Sequence, residues 1–99
     1  METVEYFPID VEQVSWQTAG DQLKAIRQEV FVEEQGVPVD EEVDELDPKA
    51  LHWIAYGPGN RAMATARLLP DGQLGRMAVL EPYRQRGVGS SLMRNILRY

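Results

Sequence analysis

Cysteine is absent from the 99 residues, and histidine occurs once, at position 52. The first absence removes a disulfide framework, a thiolate nucleophile and any cysteine metal site. The second makes a histidine-rich site equally implausible, so no metal is expected. No apolar run approaches the roughly 20 residues needed to span a bilayer, and the opening METVEYFPID lacks the basic-then-apolar order of a signal peptide. A soluble chain in the reducing cytoplasm, with no membrane partner, fits these gaps. Basic side chains are scarce in residues 1–60, where three face 14 acidic ones (net −11), whereas residues 61–99 carry seven arginines against two acids (net +5). An acidic chain with one arginine-rich segment suits a small anionic ligand better than a nucleic acid, and its acidic half attracts a cation.

What is present reads as one domain with one modest core. Residues 4–16 look like a first strand with a turn at Pro8. Thr18 and Asp21 resemble a capping box opening a helix, whose stripe is Leu23, Ile26, Val30 and Phe31 and whose end is marked by Gly36 and Pro38. Residues 37–49 are acidic and irregular. The period then changes from helical to alternating: LHWIAYG (51–57), RAMATARLL (61–69) and QLGRMAVL (73–80) are strand-like runs punctuated by Pro58-Gly59-Asn60 and Pro70-Asp71-Gly72. A second helix follows, with Val88, Leu92, Met93, Ile96 and Leu97 on one stripe. The predicted order is strand, helix, three antiparallel strands, helix: a mixed α/β (α+β) fold. Trp53, Tyr56 and Phe31 are expected in its core.

The stretch EPYRQRGVGSSLM (81–93) places Gly87 and Gly89 where that second helix begins. A helix start leaves backbone N–H groups unpaired and favours negative charge, and glycine lets a ligand approach the main chain closely, so a phosphate is the expected guest. The G-x-x-x-x-G-K-[ST] loop, the third glycine of a dinucleotide fingerprint and the G-x-S-x-G elbow are all missing.

GRMAVLEPYRQRGVGSSLM (75–93) is similar to the acetyl-CoA-binding motif of the GNAT superfamily of N-acetyltransferases. In that motif a strand ending in Ala-Val leads through Pro-x-Tyr-Arg into an Arg-x-x-Gly-x-Gly loop, here Arg84, Gly87 and Gly89. RQEVFVEEQGVPVDEEVDELD (27–47), followed by His52 and ARLLP (66–70), resembles the ElaA/YjcF-like branch and would form a substrate-side segment. The resemblance covers nearly the whole chain. A family domain continues through further strands and a helix, so residues 1–99 read as a single, truncated GNAT domain.

The resemblance implies transfer of an acetyl group from acetyl-CoA to a primary amine of a small molecule or peptide, by direct attack. Main-chain N–H groups from Gln85 through Arg86, Gly87, Val88 and Gly89 to Ser90 would cradle the pyrophosphate, with Arg84 and Arg86 adding attraction. Met77, Ala78 and Val79 would pair with the pantetheine arm. The amine must lose a proton, which calls for a base. Residues 33–47 hold eight acidic groups and no basic one; Glu34 is the first choice for the base, with Gln35, Asp44 and Asp47 on the substrate. His52, with an ordinary pKa near 6.5, is the second catalytic candidate. Arg27 and Arg67 are expected as counter-charges to buried carboxylates. Two alternatives stay open: an acyl-homoserine-lactone-synthase-like acyltransferase, and a non-catalytic CoA-binding or interaction module. An unpaired strand edge near Leu80 also invites association with a second copy.

Overall fold

The computed structural model describes residues 8–38 and 44–98. Strand β1 (Asp10–Val14) leads into helix α1 (Trp16–Arg27), which continues as a π-helical stretch over Gln28–Glu34. Strands β2 (Leu51–Gly57), β3 (Arg61–Leu68) and β4 (Leu74–Val79) then form a meander, and helix α2 (Val88–Leu97) closes the sequence of elements. The sheet has the order β1-β2-β3-β4, every pair antiparallel. This is the mixed α/β arrangement expected, with the three meander strands within a residue or so of their expected bounds. Residues 1–7, part of the expected first strand, lie outside the described residues.

The cap of helix α1 lies three residues before Thr18. It is Ser15, whose Oγ accepts from the Thr18 N–H at 3.2 Å, which satisfies one of the unpaired donors of the first turn. The buried stripe accordingly begins at Ala19, one turn before Leu23. Gly36, with φ of 75°, follows the π-helical stretch and turns the chain away.

The sheet separates two cores. On one face Leu23, Ile26 and Val30 pack with Ile54 and Ala78; on the other, Val88, Leu92 and Ile96 of α2 pack with Trp53, Ala55, Met63, Ala64 and Ala66. Strand alternation explains the division, since Ile54 and Trp53 are neighbours in sequence and point to opposite faces. Of the three aromatics expected inside, Trp53 is buried, while Phe31 and Tyr56 are half-buried against the α1-side core. Two bulges interrupt the pairing, one between β2 and β3 and one between β3 and β4. At the second, Arg76 and Met77 fall opposite Ala66, and Arg76 takes a positive φ of 48°.

Candidate functional site

The end of β4 and the start of α2 meet at a short loop. After Val79 the chain makes one 3₁₀ turn over Glu81–Tyr83, then bends through Gln85 (φ 63°) and Gly87 (φ 80°) into α2. These left-handed conformations turn the chain sharply at the mouth of α2. A cavity of about 270 Å³ opens there, lined by Val79, Tyr83, Arg84, Gln85, Gly87, Val88, Gly89 and Ser90. A Cβ built on Gly87 or Gly89 would meet nothing within 4 Å, so the bare backbone at both positions borders open space. The side chain of Val88, 1% exposed, points the other way and pins the helix start to the core. Helix-start amides around an open concavity fit a pyrophosphate.

The expected cofactor residues divide in three. Val79, Arg84, Gln85, Gly87, Val88, Gly89 and Ser90 border this cavity. Met77 and Ala78 lie further back on β4, which is the last strand of the sheet and has no strand beyond it among the described residues. Arg86 turns instead into a separate cavity of about 570 Å³ with Pro58, Gly59, Arg61, Pro82 and Tyr83.

Arg84 is held by the protein rather than extended to solvent. Its Nε donates to the Val79 carbonyl at 2.9 Å and its guanidinium donates to Glu34 Oε1, also at 2.9 Å. The pair joins residues 50 apart in sequence and fastens the end of the π-helical stretch to the loop before α2. Glu34 thus stands beside the loop, half-exposed, and the adjoining Gln35 is exposed.

Three other expected site residues belong to a different construction. Asp47 is fully buried. Its carboxylate accepts from Arg27 at 2.9 and 3.1 Å and from Arg67 at 2.9 Å. Arg67 also grips Asp44 with two hydrogen bonds, at 2.8 and 3.1 Å. Burial by itself would push the Asp47 carboxyl up, but the hydrogen bonds from Arg27 and Arg67 outweigh it and hold it below the ordinary carboxylate range. The Arg67 hydrogen bond does the same for Asp44. His52 is also fully buried; its Nε2 lies 2.8 Å from the Asp47 carbonyl and its ring is tilted over Trp16 at 5.3 Å. Burial lowers its pKa, so the imidazole is neutral and Nε2–H is the donor.

Among the described residues, His52 lines neither of these two cavities. Asp47 has no free oxygen for an amine, and Asp44 is engaged by Arg67 and, at 3.3 Å, by Arg76. All three fasten residues 44–50 under the sheet. Arg27 and Arg67 are the counter-charges expected of them. The remaining acids at 40–42 lie outside the described residues.

An antiparallel sheet with an open cavity between its edge strand and a helix is the arrangement of a class, the acyl-CoA N-acyltransferase fold. The comparisons identify it: the family model described as "Acetyltransferase (GNAT) family" matches residues 12–99, and the chain belongs to that family. It is 40% identical over 72 residues to the uncharacterized N-acetyltransferase YjcF of Bacillus subtilis, a match covering 70% of this chain and 51% of that protein. An acyl-CoA N-acyltransferase from Pseudomonas aeruginosa superposes with a TM-score of 0.77 at 30% identity, over 92% of this chain and 69% of that one. A Lactobacillus plantarum protein assigned as an N-acetyltransferase gives a TM-score of 0.78 at 28% identity, over 91% and 65%. The chain spans about half the length of the curated relatives it matches. Among the described residues no helix is long and apolar enough to cross a membrane.

Proposed function

We propose that this chain is the cofactor-holding part of an N-acetyltransferase that moves an acetyl group from acetyl-CoA to a primary amine. The observation that carries the reading is the glycine-lined concavity at the start of α2, placed at the end of an edge strand. Acetyl-CoA, when bound, supplies the activated thioester. The amides from Gln85 to Ser90 hold its pyrophosphate, and the open edge of β4 at Met77–Val79 receives the pantetheine amides as an added strand would be received. Glu34 takes the proton that the ammonium must lose before its nitrogen can attack. The nitrogen then bonds to the carbonyl carbon, the carbon–sulfur bond breaks, and the second proton that the nitrogen sheds on becoming an amide neutralises the departing thiolate. No enzyme nucleophile is needed.

Support for acyl-CoA comes from the family match and from the name of the Pseudomonas relative. The test is calorimetric titration of acetyl-CoA into the chain, followed by thioester consumption over an amine panel with the full reading frame. Binding that is lost in Gly89→Val upholds the reading. Affinity indifferent to that substitution overturns the placement, and tight binding without turnover by the full protein favours a non-catalytic CoA-binding module.

A further inference from the structure

Val79 and Arg84 both border the cavity at the start of α2, and the contact between them lies on the outer edge of the sheet. Alternation along β4 fixes which way the Val79 carbonyl points. Leu80 donates its N–H to the Met63 carbonyl of β3 at 2.9 Å, so the backbone groups of Leu80 face β3. Those of Val79, one residue earlier and opposite Ala64, face away from it. That outward carbonyl is the acceptor an added strand would use at this position. It is already taken. Arg84 Nε donates to it at 2.9 Å, while Nη2 of the same guanidinium donates to Glu34 Oε1 at 2.9 Å. One exposed side chain thus bridges the sheet edge and the π-helical stretch across the mouth of the cavity.

We propose that Arg84 selects the acyl donor: its side chain is a stopper on the Val79 carbonyl that yields to a pantetheine thioester carrying a pyrophosphate and resists one without it. The inference rests on the acyltransferase reading above and concerns which thioesters that site accepts. A pantetheine amide can pair with Val79 only after Arg84 Nε has let go. For a bare pantetheine thioester the displacement is uncompensated, since the guanidinium leaves a carbonyl and a carboxylate and meets only water. A CoA thioester brings two phosphates to the cavity that Arg84 itself borders, so the displaced guanidinium exchanges one anion for a more highly charged one. The same exchange uncovers the Glu34 carboxylate, the group that takes the proton in the reaction. Arg84 is therefore a specificity-determining residue, acting against the donor that lacks the anion.

The experiment titrates the chain and its Arg84→Met variant, which keeps the stem without its donors, with acetyl-CoA and with S-acetylpantetheine, following amide NMR signals. In Arg84→Met, S-acetylpantetheine should bind about twofold to fivefold more tightly, the range an exposed contact allows, and acetyl-CoA about twofold to fivefold more weakly. The opposite signs are diagnostic. An arginine that only attracted phosphate would leave S-acetylpantetheine unchanged, and one that only supported the fold would weaken both. Glu34→Gln loosens one end of the bridge and leaves Arg84 in place, so it should move S-acetylpantetheine in the same direction by less. S-acetylpantetheine binding that is unchanged, weakened or undetectable in both variants overturns the inference, as does an equal gain for both donors. The underlying reading is tested on the unaltered chain: acetyl-CoA that moves the Gly87 and Gly89 amides upholds it whatever Arg84→Met does, whereas silence there sinks both.

Discussion

Arg27 and Arg67, at 1% and 5% exposure, stand against Arg84, whose side chain is 40% exposed on the loop before α2. All three donate to carboxylates at about the same distance, 2.8 to 2.9 Å. The buried pair locks residues 44–50 to the sheet, and removing a partner there strands a charge in a dry interior. The exposed pair sits in water, where separation is cheap and a ligand with two phosphates can compete for the guanidinium. Equal geometry thus carries unequal energy, and burial decides which arginines hold the fold and which can serve a ligand.

Asp47→Ala should break this comparison most sharply. Leaving Arg27 and Arg67 buried without their shared carboxylate should cost about 3–5 kcal/mol in urea denaturation; a loss under about 1 kcal/mol would show the cluster to be ornamental. The glycine cradle comes next, with effects of opposite sign on stability and binding. Gly89→Ala lies inside α2 with open space around its Cβ, so it should stabilise the chain by up to about 1 kcal/mol through helix propensity while lowering acetyl-CoA affinity. Gly87→Ala must place a side chain at φ 80° and should instead destabilise by about 1–2 kcal/mol. Thermal melts and calorimetry on the two variants separate the effects.

Acid should weaken the buried cluster. Asp44 and Asp47 have folded pKa values below their unfolded ones, so the stability they contribute is whole above about pH 4 and is lost as pH falls through the folded values. His52, lowered by burial, adds a loss in the same direction that starts near its unfolded value of about 6.5. Denaturation midpoints should fall steadily from pH 7 to pH 3, and a midpoint rising on acidification would contradict the account. The smallest effect is reserved for Arg84→Gln. Loss of an exposed pair should cost at most about 1 kcal/mol, yet acetyl-CoA titrations should show altered affinity; a large drop in melting temperature instead would mean that the Glu34 contact supports the fold.

The meander was legible because β2, β3 and β4 alternate cleanly and proline-glycine turns punctuate them. Gly87 and Gly89 were legible as the start of a helix, since they stand directly before an apolar stripe of helical spacing. The Ser15 cap was hidden by the Thr18-Asp21 pair, and only the burial of Ala19 reveals the extra turn. Arg27 and Arg67 were legible as counter-charges to buried carboxylates, but which carboxylate was not, because an acidic run ordinarily stays in water and nothing local to VDELD announces that two arginines, 20 residues away on either side, converge on Asp47. The Arg84–Glu34 contact had no local signal either. Both partners were named separately, and only the folded chain puts them together.

The wide turns of Gln28–Glu34 have a bearing on how this segment could vary. A helix with i to i+5 pairing holds an extra residue per turn compared with the α form, the arrangement left by a one-residue insertion. Removing one residue between Gln28 and Glu33 would let the coil tighten to the α form with the chain on either side nearly in place, so the carboxylate clasping the loop before α2 would keep its bearing while Leu23 and Ile26 stayed packed. The segment behaves as slack in a cord: one unit can be taken up without moving either end.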